Sequence, residues 1–168
     1  GSGSKDTKGM KIKTSRFGEI EVAPEEIVVF ADGLLGFDDH HSFVILNPQE
    51  GSPFRWLQST TDGDLAFVII EPLNFMFEYD LEISDADAAF INLTQAEDAV
   101  LYTIVTIPAN PSDMTANLQG PLVINAKNRK GRQVISNKPE HVLKARIIDE
   151  MKKRADKLAE AASQEKKG

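Results

Sequence analysis

The chain has 168 residues, 41% of them hydrophobic, with no cysteine and a formal net charge of -7. That is enough for one domain with an appendage and a core that needs no covalent staples, while the missing thiols exclude disulfides, thiolate metal sites and a cysteine nucleophile and suit a reducing compartment such as the cytoplasm. No apolar run approaches the roughly 20 residues that span a bilayer, and no apolar signal-peptide stretch opens the chain, so neither a membrane protein nor an exported one is expected.

In chain order, residues 1–9 read as a cloning scar or linker, ahead of a β domain over 10–137 and a helical extension over 138–168. Residues 11–14 and 19–22 alternate apolar and polar around a turn at Arg16, Phe17 and Gly18, which predicts a hairpin with Ile12, Ile20 and Val22 facing inward. Further β-branched or aromatic segments follow at 27–30, 43–46, 54–59 and 65–71, separated by Pro, Gly, Asn and Asp clusters. The longest strand is expected over 99–107, then strands at 115–118, 122–125 and 132–135. One internal helix is predicted over 85–93, capped by Ser84 and carrying Asp85 and Asp87 at its positive end. So many short strands define a mainly β fold, a small antiparallel β-barrel-like domain or sandwich.

After Pro139 the pattern becomes helical: Leu143, Ile147, Met151, Ala155, Leu158 and Ala162 recur every three or four residues and predict a C-terminal amphipathic α-helix. The bland expectation is that Leu143, Ile147 and Met151 dock on the barrel and the remainder frays. The sharper one is a helix that binds a partner or dimerises.

Charge is unevenly spread. Between Phe17 and Ala126 there are nineteen acidic residues against one basic residue, Arg55, whereas the segment from Lys138 onward carries nine basic and six acidic residues. Phosphate binding needs Lys and Arg on the contact face, so an acidic body argues against direct nucleic-acid or anionic-membrane contact and fits a basic protein partner, or simply a well-solvated surface.

The sequence assembles no catalytic, cofactor-binding or metal-binding constellation. His40 and His41 are adjacent and cannot both face one ion from a regular strand, so a solvated loop is expected. His141 stands alone, and no nucleophile elbow, phosphate loop or complete calcium loop occurs. The candidates for partner binding are therefore side chains that would sit on loops. Glu71 and Asn74 border the pair Phe75 and Phe77, too closely spaced for both to be covered on one side, so one is expected to reach outward as an anchor. Glu78, Asp80, Glu82, Asp85 and Asp87 form an acidic run.

The segment 114–125, Met-Thr-Ala-Asn-Leu-Gln-Gly-Pro-Leu-Val-Ile-Asn, resembles the signature of the flagellar assembly factor family FliW. Gly18-Glu19-Ile20-Glu21, the run from Phe30 to Phe37 (Phe-Ala-Asp-Gly-Leu-Leu-Gly-Phe), the run from Pro53 to Ser59 and Asp64-Leu65-Ala66-Phe67 are similar to the family in the same order. The resemblance adds Leu34, Leu35, Phe37, Asn117 and Gln119 to the candidate contacts. It implies a β-barrel-like domain without cofactor that binds the RNA-binding regulator CsrA, relieves its repression of flagellin translation, and binds flagellin in a partner switch. Two other readings remain open on the residues: a small-ligand binder or enzyme using Asn117 and Gln119 around a pocket, and a chaperone of flagellin alone.

Overall fold

The computed structural model describes residues 9–167; residues 1–8, most of the segment read as a scar or linker, and Gly168 lie outside the described residues. The chain opens with a hairpin of β1 (Met10–Thr14) and β2 (Gly18–Val22). The Thr14 hydroxyl closes its turn, donating to Gly18 O at 2.8 Å and accepting from the Phe17 N–H at 2.9 Å. Ile12 pairs with Ile20 across the ladder, and Ile12 and Val22 bury against Val44.

Then come β3 (Ile27–Phe30), β4 (Ser42–Leu46), β5 (Phe54–Ser59), β6 (Ala66–Ile70), α1 (Asp85–Phe90), β7 (Ala99–Thr106), β8 (Thr115–Ala116), β9 (Leu122–Asn125), β10 (Lys130–Gln133), β11 (Ala145–Arg146) and α2 (Ile147–Lys167). Strands β3, β4, β5, β6, β7, β9 and β10 pair in that order, and β10 returns to β3, closing a seven-stranded barrel. Every ladder is antiparallel except that last one, where Lys130 and Gly131 run parallel to Val29 and Phe30. Gly131 is required there: a Cβ would lie 2.6 Å from the Phe30 ring, so any side chain would push β10 off the seam.

Strand alternation fills the barrel with Phe30, Phe43, Leu57, Ile69, Tyr102, Leu122 and Ile124, and the Phe30 and Phe43 rings meet edge to face at 5.7 Å. The outer face of the wall is also covered. Ile70, Val105, Ala116 and Leu118 bury beneath Phe75, Tyr79, Ala145 and Ile147, while Val123 and Val134 bury beneath Ile91 in the α1 layer. A strand dry on both faces has no polar alternation, which is why β6 and the Leu122–Ile124 stretch of β9 read as unbroken apolar runs.

The structure moves several element boundaries. β8 stops at Ala116, short of Leu118, as the Asn117 side chain accepts from the Gln119 and Gly120 N–H groups and turns the chain toward β9. β10 starts at Lys130, two residues earlier than expected, because Arg129 takes φ +62° and the Asn128 side chain accepts from the Lys130 N–H, delivering the chain into the ladder. α1 ends at Phe90: Asn92 takes φ +55° and the Leu93 N–H reverts to Ala88 O, which ends the helix. The two-residue β11, pairing Ala145 with Ala116, has no counterpart among the expected strands.

The tail corrects the docking expectation. α2 begins at Ile147, and of Leu143, Ile147 and Met151 only Ile147 is buried; Leu143 is 53% and Met151 42% exposed. The physical reason is β11. Once residues 145 and 146 are extended along β8, helical phase starts at Ile147, and Leu143 lies outside the helix altogether. The remainder is helical throughout, α2 running to Lys167.

Candidate protein-interaction surface

Three loop systems carry the candidate residues. The first is the bend between β3 and β4, where Gly33 and Gly36 both hold positive φ and Leu34 and Phe37 exchange main-chain hydrogen bonds. A Cβ on Gly33 would sit 2.5 Å from the Asp38 backbone, so the bend tolerates only glycine there. Leu34 points into the barrel at 3% exposure, whereas Leu35 projects outward at 64% and Phe37 lies half exposed against Phe67. The Leu35 N–H donates to Gln133 Oε1 at 2.8 Å, which ties this loop to β10.

The second system follows β6. Pro72 starts a 3-10 turn, Pro72–Asn74, that drives Phe75 into the outer core, fully buried, and leaves Phe77 44% exposed. Lys157 of α2 stands over the Phe77 ring at 5.5 Å, and the Arg154 guanidinium donates to Asn74 O. Tyr79 is buried beside them, donating to Leu118 O at 2.6 Å, and burial pushes its phenol pKa upward. Its ring stacks on His141 at 4.4 Å. The histidine that looked isolated in sequence is thus a core residue, with Nδ1 against the Ser136 hydroxyl and a pKa lowered chiefly by burial.

The acidic run divides between two hollows. Glu78 and Asp80 line an open cleft of about 660 Å³ opposite Lys144, Arg146, Lys153 and Lys157 from the tail. Glu82 and Asp85 face Lys138 across a second hollow. Asp87 lines that second hollow too and is bridged there by Arg132 at 3.1 Å, which also reaches Asp32 at 3.4 Å and holds its guanidinium 4.1 Å over the Phe90 ring. Basic residues that follow Ala126 therefore fold back onto the acidic body. That function of Arg132 was invisible in sequence, where it is 45 residues from Asp87.

The third system is the signature segment. Asn117 Oδ1 accepts from the N–H groups of Gln119 and Gly120 at 3.0 and 2.9 Å, so its amide builds the turn into β9. Gln119 is exposed, with its carbonyl accepting from the Ser136 N–H. The structure brings Asn74, Phe77, Glu78 and Asp80 together beside α2, places Leu35 and Phe37 on a separate bend, and withdraws Leu34 and Phe75 into the core. Among the described residues, no group of three His, Asp or Glu is positioned to hold a metal, and no helix is long and apolar enough to cross a membrane.

Fold and surface together define a small closed β-barrel that carries aromatic and acidic side chains outward on loops. The family model described as FliW protein matches residues 11–147. A flagellar assembly factor FliW from Alkaliphilus metalliredigens is 44% identical over 145 residues, covering 86% of this chain and 90% of the relative. One from Leptospira biflexa is 44% identical over 141 residues, covering 83% and 92%. A crystal structure of the flagellar assembly factor FliW superposes with a TM-score of 0.76 at 37% identity, covering 82% of this chain and 96% of the other. The chain belongs to the FliW family.

Proposed function

We propose that this chain is a non-enzymatic, cytoplasmic flagellar assembly factor that works by binding proteins: it sequesters CsrA, relieving repression of flagellin translation, and releases it when flagellin takes its place. The observation that carries this reading is the family match over residues 11–147, which spans the whole barrel. The surface supports it. Acidic side chains dominate the barrel and its loops, an RNA-binding regulator presents basic surface, and opposite potentials speed encounter and slow escape. A switch needs no chemistry, only a free-energy penalty for holding both partners at once.

The test is a binding measurement on purified components. Labelled CsrA should bind the chain in the absence of RNA, and unlabelled flagellin should displace it or weaken it by roughly tenfold, a coupling in the range typical of linked sites. Flagellin binding with no CsrA binding at any concentration would replace the switch by a chaperone of flagellin alone. No binding of either would remove the reading.

A further inference from the structure

β7 outruns the strand beside it. Eight residues long, it is covered by β6 only from Thr103 to Val105, while β9 pairs with Ala99 to Tyr102 from the opposite side. Two hydrogen bonds fix which way its main chain points. The Ala126 N–H donates to Asp98 O and the Asn117 N–H donates to Ile104 O, both at 2.9 Å. Positions 98 and 104 therefore face β9 and β8. Main-chain groups alternate along a strand, so Ala99 and Leu101 face the other way, along the line that β6 would have continued.

β6 cannot continue. Extending the register of Ile70 with Thr103 by two residues sets Pro72 opposite Leu101, and proline has no N–H to donate. The chain instead enters its 3-10 turn, where the carbonyls of Glu71 and Pro72 accept from Asn74, Phe75 and Met76. The Ala99 N–H is taken by Ala96 O. That leaves the Ala99 carbonyl and both main-chain groups of Leu101 without a protein partner among the described residues. They present an acceptor, a donor and an acceptor in strand spacing. A cleft of about 310 Å³ opens over them, walled by Glu71, Pro72, Leu73 and Tyr79. Leu73 stands at its rim, 59% exposed.

We infer that this edge of β7 is a docking site for an extended peptide segment of a protein partner, added as a strand beside Ala99 and Leu101. The hydrogen-bond pattern asks for a strand, since a helix has already used its main-chain groups. The largely apolar walls ask for an apolar side chain opposite Leu101. Glu71, the one charged residue of the lining, asks for a lysine or arginine next to it, in keeping with nineteen acids against one arginine between Phe17 and Ala126. The inference rests on the reading of this chain as a protein-binding factor and gives it a mode of contact.

The experiment uses the full chain and a capped seven-residue peptide alternating lysine and valine, with amide exchange followed residue by residue by NMR. In the free protein the Leu101 amide should exchange much faster than that of Tyr102, which faces β9; added peptide should slow Leu101 by roughly tenfold or more and leave Tyr102 unchanged. N-methylating the peptide amides that face β7 removes the donors to the Ala99 and Leu101 carbonyls and should cost on the order of tenfold or more in affinity, the loss of two hydrogen bonds. Glu71→Lys should weaken binding roughly threefold, the scale of a rim ion pair. Protection of Leu101 before peptide is added, absence of binding, or binding indifferent to N-methylation would each overturn the docking site. The probe contains neither regulator nor flagellin sequence, so those results would leave the proposed switch standing, and a failed switch would leave the edge standing.

Discussion

The barrel wall and the terminal helix both carry recurring apolar residues in sequence, yet they end in opposite environments. In the wall, Ile69 and Ile70 are adjacent and both fully buried, one inside the barrel and one beneath the outer layer. In α2, Ile147 is the single buried residue among those described, and Ile148, Met151 and Leu158 stand 40%, 42% and 49% exposed. The difference teaches that apolar periodicity reports the existence of a face and not what covers it. Coverage is decided by long-range pairing, here by β11, which pins the chain at Ala145 and lets the helix project.

The strongest way to break the comparison is to cut on either side of that pin. A chain ending at residue 137 loses β11, Ile147 and the His141 stack, exposing Tyr79, Ala116 and Leu118; it should lose on the order of 4 kcal/mol or more, enough to compromise folding. A chain ending at residue 148 keeps all of these and should stay within about 1 kcal/mol of the full chain. Urea denaturation followed by tryptophan fluorescence reads both, since Trp56 sits on β5. Equal losses in the two truncations would mean that α2 itself, rather than β11, holds the outer layer.

How far this contrast was legible follows from which contacts are local. Hairpin β1–β2, strands β3, β5 and β9 and the Ser84 cap were readable because alternation, turn residues and capping act within a few positions. The cap is seen directly, with the Asp87 N–H donating to Ser84 Oγ at 3.1 Å. Barrel closure was not, because the parallel seam depends on Gly131 meeting Phe30 across 101 residues of chain. The same limit governed the surface. That one of Phe75 and Phe77 faces out follows from spacing, but which one depends on Pro72 and the outer core. The structural role of His141 and the bridging by Arg132 are set by residues far along the chain, and no local pattern marks them.

Single substitutions sharpen the same contrast at smaller scale. Ile147→Ala should cost about 2–4 kcal/mol, as for a buried aliphatic side chain whose site cannot fully collapse. Leu158→Ala, on the exposed side of α2, should change stability by less than about 0.5 kcal/mol. Chemical denaturation at neutral pH compares the two. A loss at Leu158 as large as that at Ile147 would show that the stripe is covered in solution.

The smallest expected effect is a pH dependence lodged in the outer layer. Burial lowers the His141 pKa below its ordinary 6.5, opposed by Glu140 and Asp80 and assisted by Lys138. The folded state therefore binds this proton less readily than the unfolded state does. Above pH 6.5 both states hold a neutral ring and nothing is lost; as pH falls below 6.5 the unfolded chain takes up the proton first, and stability declines until the folded value is passed. His141→Gln keeps a polar side chain within reach of Ser136 and removes the titration. The stability difference between pH 7.5 and pH 5.5 should thus be smaller in the variant than in the parent chain. Carboxylates titrating over the same interval contribute to both proteins and cancel in the comparison, so an identical pH slope in the two would show that His141 takes up its proton equally readily in the folded and unfolded chains.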